Sequence, residues 1–448
     1  MKKPAMPTGT IRRLSGIMIL AAVLLPPTLS ARNEVLTLEE AVKIALQFNE
    51  RALTAGEELA AAQGLVIQAR AAFLPTISTS GTYTRRPFEV TRQIGDTAMV
   101  IQSYNALSGT GSLNLTLFDA NAIPTFKYYK DSRTAQEFSS AESKRQLSFE
   151  VGQAFLTTLS AAQVLQASKH RYEYAKQNLE AAKARFAAGL VSVNDVTRAE
   201  LELASAEMSV IQGQGRADTT VLQFGNLLND QDAAKKALVA PEFLITADAS
   251  RFADTETMIN DAQIRRLDLN ALRWTAKAQK SLLLQSTLKW FPSLSFFTRG
   301  TYTNEAGLTG RNWNWNLGLT FSWSIFDGLL RNGEYKEQNA LASIADLDVK
   351  AALRGVEINV RETEVSLASQ RAALKQAEVA LDVARKNEQE TSELYRQGLA
   401  SALEVSDATV SLFEAEVAQV NQRFNLGIAF LNLEAALGLD PFGKEPVR

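Results

Sequence analysis

The feature that most constrains this chain is an internal duplication within its 448 residues. The Gly-Leu pair at Gly189 returns at Gly398, 209 residues later, and each pair is followed by a serine and then by an acidic residue and valine. Each copy is predicted to run helix, strand, loop, strand, very long helix, glycine break and helix. A repeat unit this open cannot bury its own apolar surface, so copies must pack on one another.

The repeat predicts one structure made of two similar halves rather than a string of independent domains. The predicted segments, in chain order, are a signal peptide at 1–30, a first repeat at 31–240 with a hairpin at about 75–118 and a tip at 189–192, a connecting segment at 241–254, a second repeat at 255–440 with a hairpin at about 292–326 and a tip at 398–401, and a tail at 441–448.

The signal peptide is predicted from its charge and hydropathy pattern. Lys2, Lys3, Arg12 and Arg13 precede a short apolar core and a small-residue cleavage region, as in secretory signals. That core is too short to cross a bilayer as a helix, and no later stretch offers about 20 consecutive apolar residues. Export without a remaining membrane helix is therefore expected.

The uneven spacing of proline predicts very long helices. The intervals 125–240 and 293–440 contain no proline. Because proline costs about 3 kcal/mol inside a helix, these Ala- and Leu-rich intervals favour helices at about 125–188 and 329–397. Each would be roughly 100 Å long at 1.5 Å per residue and would have to pack along partners. Shorter helices are predicted at about 38–72, 193–228, 255–289 and 402–437.

The clearest strand signal begins at Trp313. Every odd position from there to Ile325 is large and apolar, and every even position is small or polar. This period of two, with Trp315 near one end and Trp323 near the other, is typical of the aromatic girdles of outer-membrane barrel strands. Weaker strands are predicted at 76–84, 112–117 and 293–303, with connecting loops near 85–111 and 304–311.

Four strands cannot close a barrel, which needs about eight. Open sheet edges are not tolerated in lipid, so several chains would have to share one barrel. An ordinary soluble sandwich sheet is the alternative.

These features resemble the TolC-like outer-membrane efflux and secretion proteins over residues 36–439. The resemblance implies an α+β membrane protein, a homotrimer in which each chain gives four strands to one 12-stranded β-barrel, continued by a long periplasmic α-helical tunnel. It implies an outer-membrane location and passive conduction of substrate in efflux or type I secretion. The implied partners are a periplasmic adaptor, an inner-membrane pump of the RND or ABC type and outer-membrane lipid. Residues 230–254 and the C-terminal tail resemble the family's equatorial belt.

The resemblance also assigns roles near the two glycine breaks. The residues implied to dock on the adaptor are Gly189, Leu190, Ser192, Gly398, Leu399 and Ser401. The residues implied to form the periplasmic gate are Asn194, Asp195, Tyr395, Glu404 and Asp407. The family's arginine in the second tip is replaced by Ala400, which implies a weaker latch or one built from other groups.

Both assignments have structural alternatives. Glycine commonly ends a helix in the left-handed conformation, and acidic side chains stabilise helix starts through the helix dipole. A ring of carboxylates at a pore would additionally favour cations.

Composition argues against other function classes. The chain has no cysteine and one histidine, His170, so no metal cluster or catalytic triad is expected. Its Gly-x-Gly pairs lack the third glycine of a dinucleotide loop, and no cofactor is expected. With 47 basic and 49 acidic residues, nucleic acid is not an expected partner. A structural or adhesive coiled-coil envelope protein remains the alternative function, and drugs, metals, oligosaccharides and proteins all remain open as cargo.

Overall fold

The structure, a computed structural model, describes residues 35–242, 254–306 and 310–446. The signal peptide predicted at 1–30 and most of the connecting segment predicted at 241–254 lie outside the described residues. The helices described are α1 (Leu38–Phe48), α2 (Glu50–Arg70), α3 (Ala122–Ala187), α4 (Val193–Leu228), α5 (Gln231–Ala234), α6 (Thr255–Arg265), α7 (Leu267–Leu288), α8 (Leu330–Arg396) and α9 (Ala402–Ala436). The strands described are β1 (Val35–Leu36), β2 (Thr76–Arg85), β3 (Val90–Ile94), β4 (Thr97–Gln102), β5 (Asn105–Asp119), β6 (Ala237–Leu238), β7 (Ser293–Thr303) and β8 (Trp313–Ser322).

The two proline-free intervals form the longest helices. α3 has 66 residues and α8 has 67, so each is about 100 Å long at 1.5 Å per residue. α3 packs against α2, α4, α7 and α9, while α8 packs against α6, α7 and α9. These packed helices cover part of the apolar surface of the long helices, which stabilises them. On α8, apolar side chains such as Ile344, Leu347 and Val365 remain exposed.

The helices predicted at about 38–72 and 255–289 are each broken once, which the sequence did not reveal. Asn49 (φ −71°, ψ 132°) and Arg266 (φ −56°, ψ 122°) have non-helical backbone conformations that end one helix and start the next. The Asn49 side chain accepts the Arg51 N–H at 2.9 Å and donates to the Leu227 carbonyl at 2.8 Å. A tertiary contact thus stabilises the break, whereas no proline or glycine marks it in the sequence.

The sheet at one end of the molecule has the order β2-β5-β7-β8, and all neighbours are antiparallel. The loop predicted at 85–111 is largely β structure: β5 begins at Asn105, and a separate hairpin of β3 and β4 lies between β2 and β5. The strand was underpredicted because Gly109 and Gly111 occupy positions where an apolar residue would have marked the alternation.

The main hydrophobic core lies in the helical part, away from the sheet. Phe155 of α3 and Phe224 of α4 are fully buried, with ring centroids 5.8 Å apart in an edge-to-face arrangement. α9 contributes Phe424 and Phe430 to the same cluster. The two repeats therefore share one core and do not fold as separate domains.

Candidate functional site

The sheet has two chemically different faces. Strand register places Ile77, Leu113, Thr298 and Leu317 in one row across all four strands. The neighbouring row consists of Ser78, Ser112, Arg299 and Asn316. One face is therefore mainly apolar and the other mainly polar, as expected when lipid covers one side and water the other.

The apolar face carries the tryptophans expected to form the girdle. Trp313 and Trp315 lie at the start of β8, and Trp323 follows its end. At about 3.3 Å per residue, Trp315 and Trp323 are roughly 26 Å apart along the strand. At a strand tilt of about 40°, this spacing corresponds to roughly 20 Å of height, which fits within the apolar band of outer-membrane barrels, about 25 Å tall. All three indoles are exposed, and Trp323 Nε1 donates to the Trp290 carbonyl at 3.1 Å.

Within the described residues, β2 and β8 each pair on one side only. Both are ten residues long, and they run antiparallel to one another because three antiparallel pairings separate them. Their free N–H and C=O groups require a partner inside a bilayer, where water cannot satisfy them.

The two tips at the far end of the helices share one local structure. Gly189 and Gly398 have φ values of +75° and +78°. The next residue in each tip donates its N–H back to the helix, from Leu190 to Arg185 at 3.0 Å and from Leu399 to Leu394 at 2.8 Å. This is the Schellman helix end, for which glycine is preferred because other residues are strained at positive φ.

Both tip leucines are exposed at the ends of their hairpins. Leu190 is 74% exposed and Leu399 is 72% exposed. A Schellman motif often includes an apolar contact from this position back to the helix, yet about three quarters of each leucine side chain remains open to solvent. Two exposed leucines on rigid turns are suited to binding a partner.

Serine caps begin the helix after each tip. The Ser401 side chain accepts the Glu404 N–H at 3.3 Å, and Glu404 Oε2 accepts the Ser401 N–H at 2.7 Å. In the first tip, Asp195 Oδ2 accepts the Ser192 N–H at 3.0 Å. The hydrogen bonds from the Ser401 N–H and hydroxyl hold the pKa of Glu404 below its usual value. This carboxylate is thus held in its ionised form at the tip.

Two of the expected gate residues lie together between the tips. Asp195 and Tyr395 both line a narrow crevice between α4 and the α8–α9 hairpin. Among the described residues, no hydrogen bond joins them, since Asp195 bonds to Ser192. The Arg185 guanidinium instead lies over the Tyr395 ring, 4.8 Å from its centroid. Tyr395 therefore forms a cation–π pair with Arg185, a contact that sequence reasoning missed.

The other gate residues lie outside this crevice. Ala402, Val405 and Ser406 are the α9 residues that line it, whereas Glu404 and Asp407 are exposed. Asn194 is likewise exposed at the start of α4, and Ala400 in the second tip offers only a methyl group. The acidic side chains are thus free to face a pore or a partner.

A buried ion pair inside the α3–α4 hairpin, further from the tips, accepts a hydrogen bond from the α8–α9 hairpin, and sequence reasoning did not find it. Arg171 of α3 donates to Glu202 Oε1 of α4 at 2.9 and 3.1 Å, and their side chains are 8% and 9% exposed. Glu202 Oε2 accepts the Ser406 hydroxyl of α9 at 3.2 Å. Arg171 also lies over the Phe413 ring at 4.9 Å. The only sequence feature that could have predicted this ion pair was a pair of opposite charges on two adjacent amphipathic helices. Such pairs are too common to identify a particular contact.

Tyr174, one turn from Arg171, forms a second link between the hairpins. Its hydroxyl lies 2.9 Å from Glu388 Oε1 and 3.0 Å from Ser392 Oγ, both on α8. Burial raises the pKa of Tyr174 above its usual value. The phenol therefore stays protonated and donates across the interface.

The described part of the chain shows no grouped metal ligands. Among residues 35–242, 254–306 and 310–446, no three His, Asp or Glu side chains are grouped so that they could hold a metal ion. No helix within the described residues combines the length and apolarity needed to cross a membrane.

A sheet with one apolar face, continued by two helices of more than 60 residues, is the architecture of outer-membrane channels with a helical tunnel. The chain belongs to the outer membrane efflux protein family, whose sequence model matches residues 41–230 and 258–439. The match spans both repeats.

Individual relatives agree with this assignment. Outer membrane protein TolC of Escherichia coli K12 is 22% identical over 348 residues, which cover 75% of this chain and 70% of TolC. Among solved structures, the outer membrane protein VceC of Vibrio cholerae matches with a TM-score of 0.74 at 18% identity, covering 90% of this chain and 96% of VceC. The open state of the MtrE outer membrane channel of Neisseria gonorrhoeae matches with a TM-score of 0.72 at 14% identity, covering 92% and 90%. The chain is thus similar to outer-membrane channels in sequence and fold.

Proposed function

We propose that three copies of this chain form one outer-membrane channel-tunnel that passively exports substrate received from a periplasmic adaptor and an inner-membrane pump. The observation that carries the proposal is a four-stranded sheet with an apolar face and two unpaired edges. Three such sheets give 12 strands, which close a lipid-embedded barrel when β8 of one copy pairs with β2 of the next.

The long helices continue this barrel into the periplasm. α3 and α8 begin a few residues after β5 and β8, so strand and helix form one continuous wall. Energy for transport comes from the pump, because nothing in the sequence resembles a nucleotide-binding loop.

The tips form the adaptor-docking surface and the gate. Leu190 and Leu399 supply exposed apolar contacts on rigid turns. Glu404 and Asp407, repeated by three-fold symmetry, form an acidic ring at the entrance that favours cations. Opening moves the α8–α9 hairpin away from α3 and α4, a rigid-body change that breaks the contacts at Tyr395, Tyr174 and Ser406.

The decisive experiment reconstitutes the purified protein in planar bilayers. Conductance from a detergent-stable trimer is expected, whereas a structural or adhesive envelope protein would form no pore. Glu404→Gln with Asp407→Asn should lower cation selectivity. The matched control is Glu393→Gln with Asp382→Asn, which removes two exposed carboxylates from α8. Equal selectivity in both double variants would refute the acidic ring.

Docking at the tips is tested by crosslinking. Because the chain has no cysteine, Leu190→Cys or Leu399→Cys introduces a unique thiol. Adaptor should crosslink to these variants and not to Ile67→Cys, whose side chain is equally exposed on α2. Crosslinking at all three positions would remove the evidence for tip docking.

A further inference from the structure

The polar face of the sheet contains one charged side chain in mid-strand. Of the residues in β2, β5, β7 and β8, only Arg85, Asp119 and Arg299 are charged. Arg85 ends β2 and Asp119 ends β5, whereas Arg299 is the seventh of 11 residues in β7. A charge in the middle of a barrel strand is costly on the lipid face and tolerated on the lumen face.

Strand register places Arg299 on the polar face. Its neighbours across the sheet are Ser112 on β5 and Asn316 on β8, and Ser78 on β2 completes the row. The Ser78 and Ser112 hydroxyls are 2.8 Å apart, so both side chains of that pair lie on the same face. The residues that share this row with Arg299 therefore carry hydroxyl and amide groups.

No carboxylate neutralises Arg299. Among the described residues, it forms no ion pair, and its side chain is exposed. Asp119, the acidic residue of the same face, lies opposite Ser293 and bonds to the Asn121 N–H at 2.9 Å. Arg299 lies six positions after Ser293, or roughly 20 Å along the strand.

We propose that Arg299 forms a ring of three guanidinium groups inside the barrel that binds oxyanions of exported solutes, namely carboxylate, sulfate or phosphate groups. This inference rests on the proposed trimeric barrel. It makes Arg299 a specificity-determining residue, opposite in charge to the acidic ring at the periplasmic tips.

The dimensions of a 12-stranded barrel support an effect on permeating ions. Strands 4.8 Å apart and tilted by about 40° give a backbone radius of roughly 12 Å. An extended arginine reaches about 6 Å inward from its Cα, so its charge lies roughly 6 Å from the axis, within the Debye length of about 8 Å at physiological salt. Every solute in the lumen at this level thus experiences the positive field, and a planar guanidinium binds oxyanions with paired hydrogen bonds.

The test is side-specific block of the pore by tripolyphosphate in planar bilayers. Tripolyphosphate added on the extracellular side should reduce the conductance of the unmodified trimer. Arg299→Gln should raise the half-blocking concentration at least tenfold, and Arg299→Lys should keep most of the block. Arg85→Gln, which removes the same charge from the opposite face at the end of β2, should leave the block unchanged.

The outcomes separate this inference from the proposed function. If Arg299→Gln conducts normally and is blocked as strongly as the unmodified protein, the guanidinium ring is refuted and the channel is not. If the unmodified trimer does not conduct, the proposed function fails and the ring fails with it. Spermine, a polycation, should not show the same dependence on Arg299.

Discussion

The hydrogen bond between Ser406 and Glu202 offers the sharpest test of how the gate is held closed. Glu202 Oε1 is already engaged by Arg171 within the α3–α4 hairpin, so Oε2 is the atom that reaches α9. Ser406→Ala removes only the link between hairpins. Glu202 keeps its ion pair with Arg171, so each hairpin should still fold normally.

The expected magnitude follows from the charge and burial of the acceptor. Hydrogen bonds to charged groups contribute about 1.5–3 kcal/mol, and Glu202 is 9% exposed, so solvent screens little of this energy. If opening breaks the bond, its loss favours the open state by that amount in each subunit. At about 1.4 kcal/mol per factor of ten, the opening equilibrium should shift roughly 10- to 150-fold per subunit.

The assay is the open probability of single channels in planar bilayers. Ser205→Ala is the matched control, because Ser205 bonds to Arg171 at 3.2 Å within the α3–α4 hairpin. Ser406→Ala should open the channel far more often, and Ser205→Ala should behave as the unmodified protein. Equal open probabilities in the two variants would refute a gate held by contacts between the hairpins.

Three further predictions concern the tips and the second link. Tyr174→Phe removes the hydroxyl group that bonds to Glu388 and Ser392. Combined with Ser406→Ala, it should raise the open probability above that of Ser406→Ala alone. If the double variant opens no more often, Tyr174 has a packing role only. Gly398→Ala places a Cβ at φ +78°, which destabilises the turn by roughly 1 kcal/mol. Amide hydrogen exchange at the second tip should therefore become faster, and an unchanged exchange rate would refute a strained turn. Hydrogen bonds from Ser401 lower the pKa of Glu404, so the ionised carboxylate stabilises the folded tip fully above the carboxyl pKa of the unfolded chain, and this stabilisation is lost as pH falls through the lower folded pKa. Because Glu404 stays ionised at mildly acidic pH, cation selectivity should persist there. Loss of cation selectivity near pH 6 would contradict this assignment.

Elements with a strong local signal were predictable from the sequence. α4 was predicted at 193–228 and is found as Val193–Leu228, and the alternating strand that was predicted from Trp313 to Ile325 is found as β8, Trp313–Ser322. Long proline-free intervals and strict alternation determine these elements through nearest-neighbour chemistry, which needs no tertiary information.

Features that depend on distant residues were not predictable. The helix break at Asn49 is stabilised by the Leu227 carbonyl, 178 positions away. The Arg171–Glu202–Ser406 link joins residues from both repeats, and no local pattern distinguishes it from ordinary surface charges.

The sequence by itself determined the duplicated order of elements, the long helices, the glycine tips and the two-faced strand β8. These features depend on the local order of apolar and polar residues, which sets the helix and strand periods. Only the tertiary structure decided which polar groups meet across the hairpins and that Arg299 shares a row with Ser112 and Asn316. Strand register and helix contacts arise from packing between segments far apart in the chain. A one-residue change in register would move Arg299 to the other face.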